Sequence, residues 1–147
     1  ISKLWRVLVV KITTDIIVGF PYETEKEFNE TLDFAKEIKF SKIHVFPYSI
    51  RRGTKAALMP QVKDDIKKKR TLELINLSNA LEEEYALKFV GKEVHGIVEH
   101  EINDNYVIGH TSNYLEFILP LDKNLLKKDV KIKLQELNDK RFIATLI

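Results

Sequence analysis

Thr13-Thr14-Asp15-Ile16-Ile17-Val18-Gly19-Phe20-Pro21-Tyr22-Glu23-Thr24 runs from an apolar, β-branched segment through a glycine into a helix start. Ile16, Ile17 and Val18 suit a strand buried on both faces of a parallel sheet. Gly19-Phe20-Pro21 then breaks it. Thr24 and Glu27 have the spacing of a capping box. Behind it Phe28, Leu32, Ala35 and Ile38 share one helical face, which predicts a helix from about Glu25 to Lys39. Ile43, Val45 and Phe46 form the next short strand, closed by Pro47. A strand, a helix and a strand joined by short loops predict a parallel pair with a right-handed crossover. Ligands bind at the C-terminal ends of such strands, so a site is expected just after Val18 and Phe46.

Further along, Arg51 to Val62 reads as a loop, with Gly53 and Pro60. A long helix is predicted from about Lys63 to Leu87, with Leu74, Leu77, Leu81 and Tyr85 as its buried stripe. The run Lys67–Arg70 reads as a solvated face of that helix. The texture changes at Val90-Gly91. Five β-rich segments follow: Glu93–Glu99, Tyr106–His110, Leu115–Leu121, Val130–Leu137 and Phe142–Ile147. Turn-forming residues separate them, at Asn103-Asp104-Asn105, Ser112-Asn113, Asp122-Lys123-Asn124 and Asn138-Asp139-Lys140. Five strands in so short a span predict a small closed antiparallel barrel on the scale of an OB-fold. The fold class is therefore α/β plus all-β, with a domain at 1–87, another at 88–147, and the boundary near Lys88.

The 147 residues suffice for two small domains, and 44% hydrophobic with 31% charged side chains is a globular balance. Net charge is only +2. Residues 1–87 carry 15 basic and 13 acidic side chains, and residues 88–147 carry nine of each. A polyanion surface must come from the placement of charge, not from its excess. The sequence has no cysteine, which excludes disulfides, thiol nucleophiles, zinc ribbons and cysteine-held iron–sulfur clusters within it. No apolar run has the length of a membrane span, Arg6 and Lys11 interrupt the apolar stretch at Leu4–Val10, and no cleavage-site pattern follows, so a signal peptide is not expected. A cytoplasmic location is expected. The chain begins at Ile1 and reads as a fragment or a processed piece.

Two motifs carry a resemblance. Thr14-Asp15-Ile16-Ile17-Val18-Gly19-Phe20-Pro21-Tyr22-Glu23-Thr24 resembles the Thr-Asp-hydrophobic-Ile-hydrophobic-Gly-Phe-Pro-Gly-Glu-Thr segment of radical-SAM tRNA methylthiotransferases. His44-Val45-Phe46-Pro47-Tyr48-Ser49-Ile50-Arg51-Arg52-Gly53-Thr54-Lys55-Ala56 resembles the same family's Phe-x-Tyr-Ser-x-Arg-x-Gly-Thr-x-Ala, in the version of the branch acting on threonylcarbamoyladenosine. Residues 88–147 are similar in length and position to the family's TRAM domain, an RNA-holding barrel. Gly109-His110-Thr111-Ser112-Asn113-Tyr114 resembles its Gly-x-Thr-x-Asn-Tyr hairpin. The resemblance covers residue 13 to the end. It implies the C-terminal part of a TIM-like radical-SAM barrel followed by TRAM.

The resemblance also implies chemistry. A 4Fe-4S cluster reductively cleaves S-adenosylmethionine, and a methylthio group enters ring carbon 2 of a modified adenosine beside the tRNA anticodon. The family's cluster cysteines, in a CxxxCxxC loop, do not occur in this chain, so the chain alone is expected to be inactive. Its implied cofactor-contacting residues are Asp15, Gly19, Glu23, Phe46, Tyr48 and Arg51. The implied partner is the tRNA anticodon stem-loop, met by Lys88, Lys92, His95, His110, Asn113, Tyr114, Lys140 and Arg141 through basic groups and stacking rings.

Each residue also has a structural reading. Gly19 suits a tight turn, Glu23 a helix N-terminus, and Phe46 a core. Asp15, read as buried, needs a partner. The four histidines lack metal-site spacing, and no metal is assigned to them. Tyr22 departs from the family's glycine, and residues 1–12 are strand-like where the family is polar. An incomplete barrel leaves edges open, so residues 1–87 are expected to rearrange or to pair with another copy. Two other readings remain: a non-catalytic RNA-binding module, and a methylthiotransferase acting on a ribosomal protein.

Overall fold

A computed structural model describes residues 11–147, so the strand-like reading of Leu4–Val10 lies outside the described residues. Two compact units divide between Glu82 and Glu83. In the first, β1 (Thr13–Val18), α1 (Glu25–Ile38) and β2 (Lys42–Pro47) follow one another, and a long helix α2 (Asp64–Leu87) begins after a loop. β1 and β2 pair in parallel, from Thr13 opposite Lys42 to Val18 opposite Pro47. α1 starts where its sequence dictates: the Glu27 N–H donates to Thr24 Oγ1 at 3.1 Å. It stops at Lys39, which turns into the left-handed region at φ 56° while its N–H still reaches the Ala35 carbonyl.

The core of this unit joins Val18, Phe28, Ala35, Phe40, Ile43, Leu74 and Leu81. Ser78 docks α2 onto β2. Its hydroxyl accepts from the Ile43 N–H and donates to the Ile43 carbonyl, each at 3.0 Å. The expectation that β1 is buried on both faces does not hold. Val18 is buried, but Ile17 is 58% exposed and Phe46 on β2 is 52% exposed. Two strands make the whole sheet, and both helices contribute to one core, so the opposite face stays open among the described residues. Alternation along β1 then puts Asp15 on the exposed side with Ile17. Asp15 is not the buried carboxylate expected from the strand reading.

The second unit is a closed barrel of β3 (Glu93–Ile102), β4 (Tyr106–Thr111), β5 (Glu116–Pro120), β6 (Asp129–Asn138) and β7 (Arg141–Leu146). Strand order around it is β3-β4-β5-β7-β6, with β6 returning to β3. The barrel is not wholly antiparallel as expected, because β5 and β7 run parallel. The cause is topological. The chain leaves β5 and crosses to β6, one place beyond its neighbour. The β6–β7 hairpin then drops β7 into the gap, antiparallel to β6 and so parallel to β5. Phe117, Leu119, Ile132, Leu134 and Phe142 fill the interior, and Tyr85 and Ala86 of the last turn of α2 belong to the same cluster. That is why the division between the compact units falls inside α2. Gly109 is required by close approach, since a Cβ there would collide with the Ile97 carbonyl and the Phe117 ring. Among the described residues no helix is long and apolar enough to cross a membrane.

Candidate functional site

The C-terminal ends of β1 and β2 open into a groove of about 660 Å³, within the size range of small-molecule sites. Ile17, Phe20, Phe46 and Tyr48 form its apolar walls, and Asp15, Ser49, Arg51 and Thr54 bring polar groups to them. The Phe20 and Tyr48 rings meet edge to face, with centroids 5.2 Å apart. The Tyr48 N–H donates to the Val18 carbonyl at 2.8 Å, carrying the β pairing one residue past the sheet. An apolar cleft with a few convergent polar groups suits a flat, partly polar ligand such as a purine.

Of the six residues named for a cofactor, Asp15, Phe46, Tyr48 and Arg51 line this groove. Gly19 and Glu23 do not line it. Gly19 is buried at φ +77°, and a Cβ there would meet Lys67 Cγ at 2.5 Å. The space left by the missing side chain is filled by the aliphatic stem of Lys67. Glu23 Oε1 accepts from the Gly19 N–H at 3.2 Å and from Arg70 Nη1 at 2.9 Å. The two residues shape the turn behind the groove. Tyr22 follows in the left-handed region at φ 70° and is 63% exposed.

Sequence reasoning missed Ile17, Phe20 and Thr54 as lining residues, and it misread the run Lys67–Arg70. Lys68 and Lys69 are exposed, but Arg70 is 5% exposed. A signal was available. Lys67, Arg70, Leu74, Ser78, Leu81 and Tyr85 follow one another at three- and four-residue steps, in line with the buried stripe.

In the barrel unit, the residues named for RNA separate into groups. His110 and Arg141 come together on Glu116. His110 Nε2 lies 3.5 Å from Glu116 Oε2, its Nδ1 lies 3.1 Å from Glu99 Oε1, and Arg141 Nε lies 2.5 Å from Glu116 Oε1. His95 on β3 pairs with Asp129 at 3.2 Å. Asn113 is built into the hairpin: it accepts from the Thr111 hydroxyl, and its amide donates to the Tyr85 hydroxyl at 3.2 Å. This network leaves Tyr114 at the tip, 76% exposed at φ 61°. Lys88, Lys92 and Lys140 are exposed in the connections that flank β3 and β7. No group of His, Asp and Glu suited to a metal ion occurs among the described residues.

Comparison with known proteins adds what geometry alone does not. The chain is 41% identical over 140 residues, or 91% of its length, to the threonylcarbamoyladenosine tRNA methylthiotransferase MtaB of Bacillus subtilis (strain 168). This chain belongs to the tRNA methylthiotransferase family. A tRNA-2-methylthio-N(6)-dimethylallyladenosine synthase of Desulfitobacterium hafniense is 37% identical over 132 residues, 88% of this chain. The threonylcarbamoyladenosine tRNA methylthiotransferase of Xenopus laevis is 36% identical over 131 residues, 89% of this chain. The chain spans 31%, 30% and 23% of the lengths of these three relatives. No family model matches it.

Proposed function

We propose that this chain is the C-terminal part of a tRNA methylthiotransferase that modifies ring carbon 2 of threonylcarbamoyladenosine beside the anticodon. The observation that carries the proposal is the groove at the ends of β1 and β2, formed by the two motifs that match the family. In this reading residues 1–87 are the end of a radical-SAM barrel, and the open face bearing Ile17 and Phe46 is part of its inner wall. An exposed apolar sheet face supports this, because such a face normally finds a cover. Residues 88–147 are the TRAM domain, and the barrel holds the anticodon stem-loop. Tyr114 at the hairpin tip and the exposed lysines Lys88, Lys92 and Lys140 are its contacts, with His95, His110, Asn113 and Arg141 setting the surface beside them.

S-adenosylmethionine would supply the hydrogen-abstracting chemistry and the methyl group. The groove fits S-adenosylmethionine: Phe46 and Tyr48 offer ring faces to the adenine, Asp15 accepts hydrogen bonds, and Arg51 meets the carboxylate of the methionyl part. Gly19 and Glu23 act by fixing the turn. A 4Fe-4S cluster does not fit the residues of this chain, which has no cysteine. The chain by itself is therefore inactive in this reading. A second reading, a module that only binds RNA, draws on the closed barrel with Tyr114 exposed at its hairpin tip. Sequencing the coding DNA upstream of Ile1 separates the two. The proposal expects an in-frame CxxxCxxC; a stop codon or unrelated sequence there removes the enzymatic reading and leaves RNA binding.

A further inference from the structure

Arg70 is a costly residue if its purpose is stability. It is 5% exposed, and its Nε is buried without a hydrogen-bond partner. Buried ion pairs often hold a fold no better than apolar side chains of the same volume. Its contacts converge on one short segment. Nη1 donates to the Glu23 carbonyl at 3.0 Å and to Glu23 Oε1 at 2.9 Å, and Nη2 donates to Glu25 Oε2 at 3.1 Å. The guanidinium also lies 5.6 Å from the centre of the Phe28 ring. One turn earlier on α2, Lys67 covers Gly19 with its stem. Its ammonium donates to the Tyr48 carbonyl at 3.2 Å and lies 5.9 Å from the Tyr48 ring centre. Asp64 Oδ1 steadies that ammonium at 3.6 Å.

We infer that Lys67 and Arg70 are positioning residues, a latch from the first turns of α2 that locks the Gly19–Glu25 turn to the end of β2 and thereby sets the groove. The inference rests on the groove being the ligand site. Arg70 anchors the turn after β1, and Lys67 ties that turn to Tyr48. Phe20 and Tyr48, whose rings meet edge to face in the groove lining, are thus both held from α2. A fixed turn also explains how Tyr22 is kept in the left-handed region, which a non-glycine residue adopts only when its surroundings impose it. A bidentate guanidinium suits this task, and a point charge does not replace it.

The test uses the full 147-residue chain and amide hydrogen exchange by NMR. The Gly19 N–H, bonded to Glu23, reports the latch; the Ile43 N–H, bonded to Ser78, reports the unit as a whole. In Arg70→Met, protection at Gly19 is expected to fall about tenfold or more while Ile43 changes less than about threefold. Arg70→Lys should fall between the two chains. Should Arg70→Met not fold, Lys67→Met and Glu25→Gln each remove one arm, and each should loosen Gly19 by about threefold with Ile43 steady. Equal losses at Gly19 and Ile43 would overturn the inference in favour of a merely structural role, and so would an unchanged Gly19. Adenosine is the probe for the groove: its affinity should drop about fivefold in Arg70→Met, since an unfixed site must be ordered on binding. Adenosine that fails to bind the unaltered chain contradicts the groove reading alone; the latch is then decided by the exchange data.

Discussion

Tyr22 holds φ 70° in a turn where a glycine would carry no penalty. A Cβ in the left-handed region costs roughly 1–2 kcal/mol. Tyr22→Gly is therefore expected to raise the stability of the chain by about 1 kcal/mol, read as a shift in the urea midpoint at constant slope. An unchanged midpoint would mean that the exposed ring repays the strain. Phe46 behaves oppositely. At 52% exposure it contributes little to the core, so Phe46→Ala should change stability by less than about 0.5 kcal/mol. Under the proposed function, the same substitution in the complete methylthiotransferase should cut methylthiolation of tRNA by about tenfold, because it removes a ring face from the groove. Equal activity in Phe46→Ala and wild type would remove Phe46 from the site. At this scale the sequence was a partial guide. Asp15, Phe46, Tyr48 and Arg51, which the family resemblance implied as cofactor contacts, line the groove. Lys67 and Arg70 were hidden in a run of four cations, of which only those on the inward helical face are drawn in.

Elements were legible wherever a local pattern decides them. The Thr24–Glu27 cap, the spacing of Phe28 and Ala35, and the asparagine- and aspartate-rich turns of the barrel each act over a few residues. The observed strands and helices begin and end close to where these signals stand. The parallel run of β5 beside β7 was not legible, because no local feature says which strand will fill a gap. Nor was the open face of β1, since an apolar run looks the same whether its second face is covered by this chain or by something else. Close packing within the barrel gives a sharp expectation. A methyl group at Gly109 has backbone and ring in its way, so Gly109→Ala should destabilise the barrel by about 2–3 kcal/mol in thermal or urea unfolding. A loss under about 0.5 kcal/mol would show that β3 and β4 can part there without cost.

Across the whole molecule, near-neutral charge hides a division of labour. A groove at one strand-end pair and a closed barrel with an exposed tyrosine are separate features of separate units, each formed by its own stretch of sequence. Their union in one chain is what the account assigns to a tRNA-modifying enzyme. The barrel's share predicts electrostatic binding: affinity for an anticodon stem-loop should fall with rising salt, with a log–log slope of about −2 to −3 if three or four lysines meet phosphates. Binding that ignores salt would contradict that surface. The enzyme's share is tested most directly by mass spectrometry of tRNA nucleosides from a strain lacking the gene and from its parent. On loss of the gene, 2-methylthio-threonylcarbamoyladenosine is expected to disappear and its unmethylthiolated form to accumulate. An unchanged nucleoside profile would contradict it.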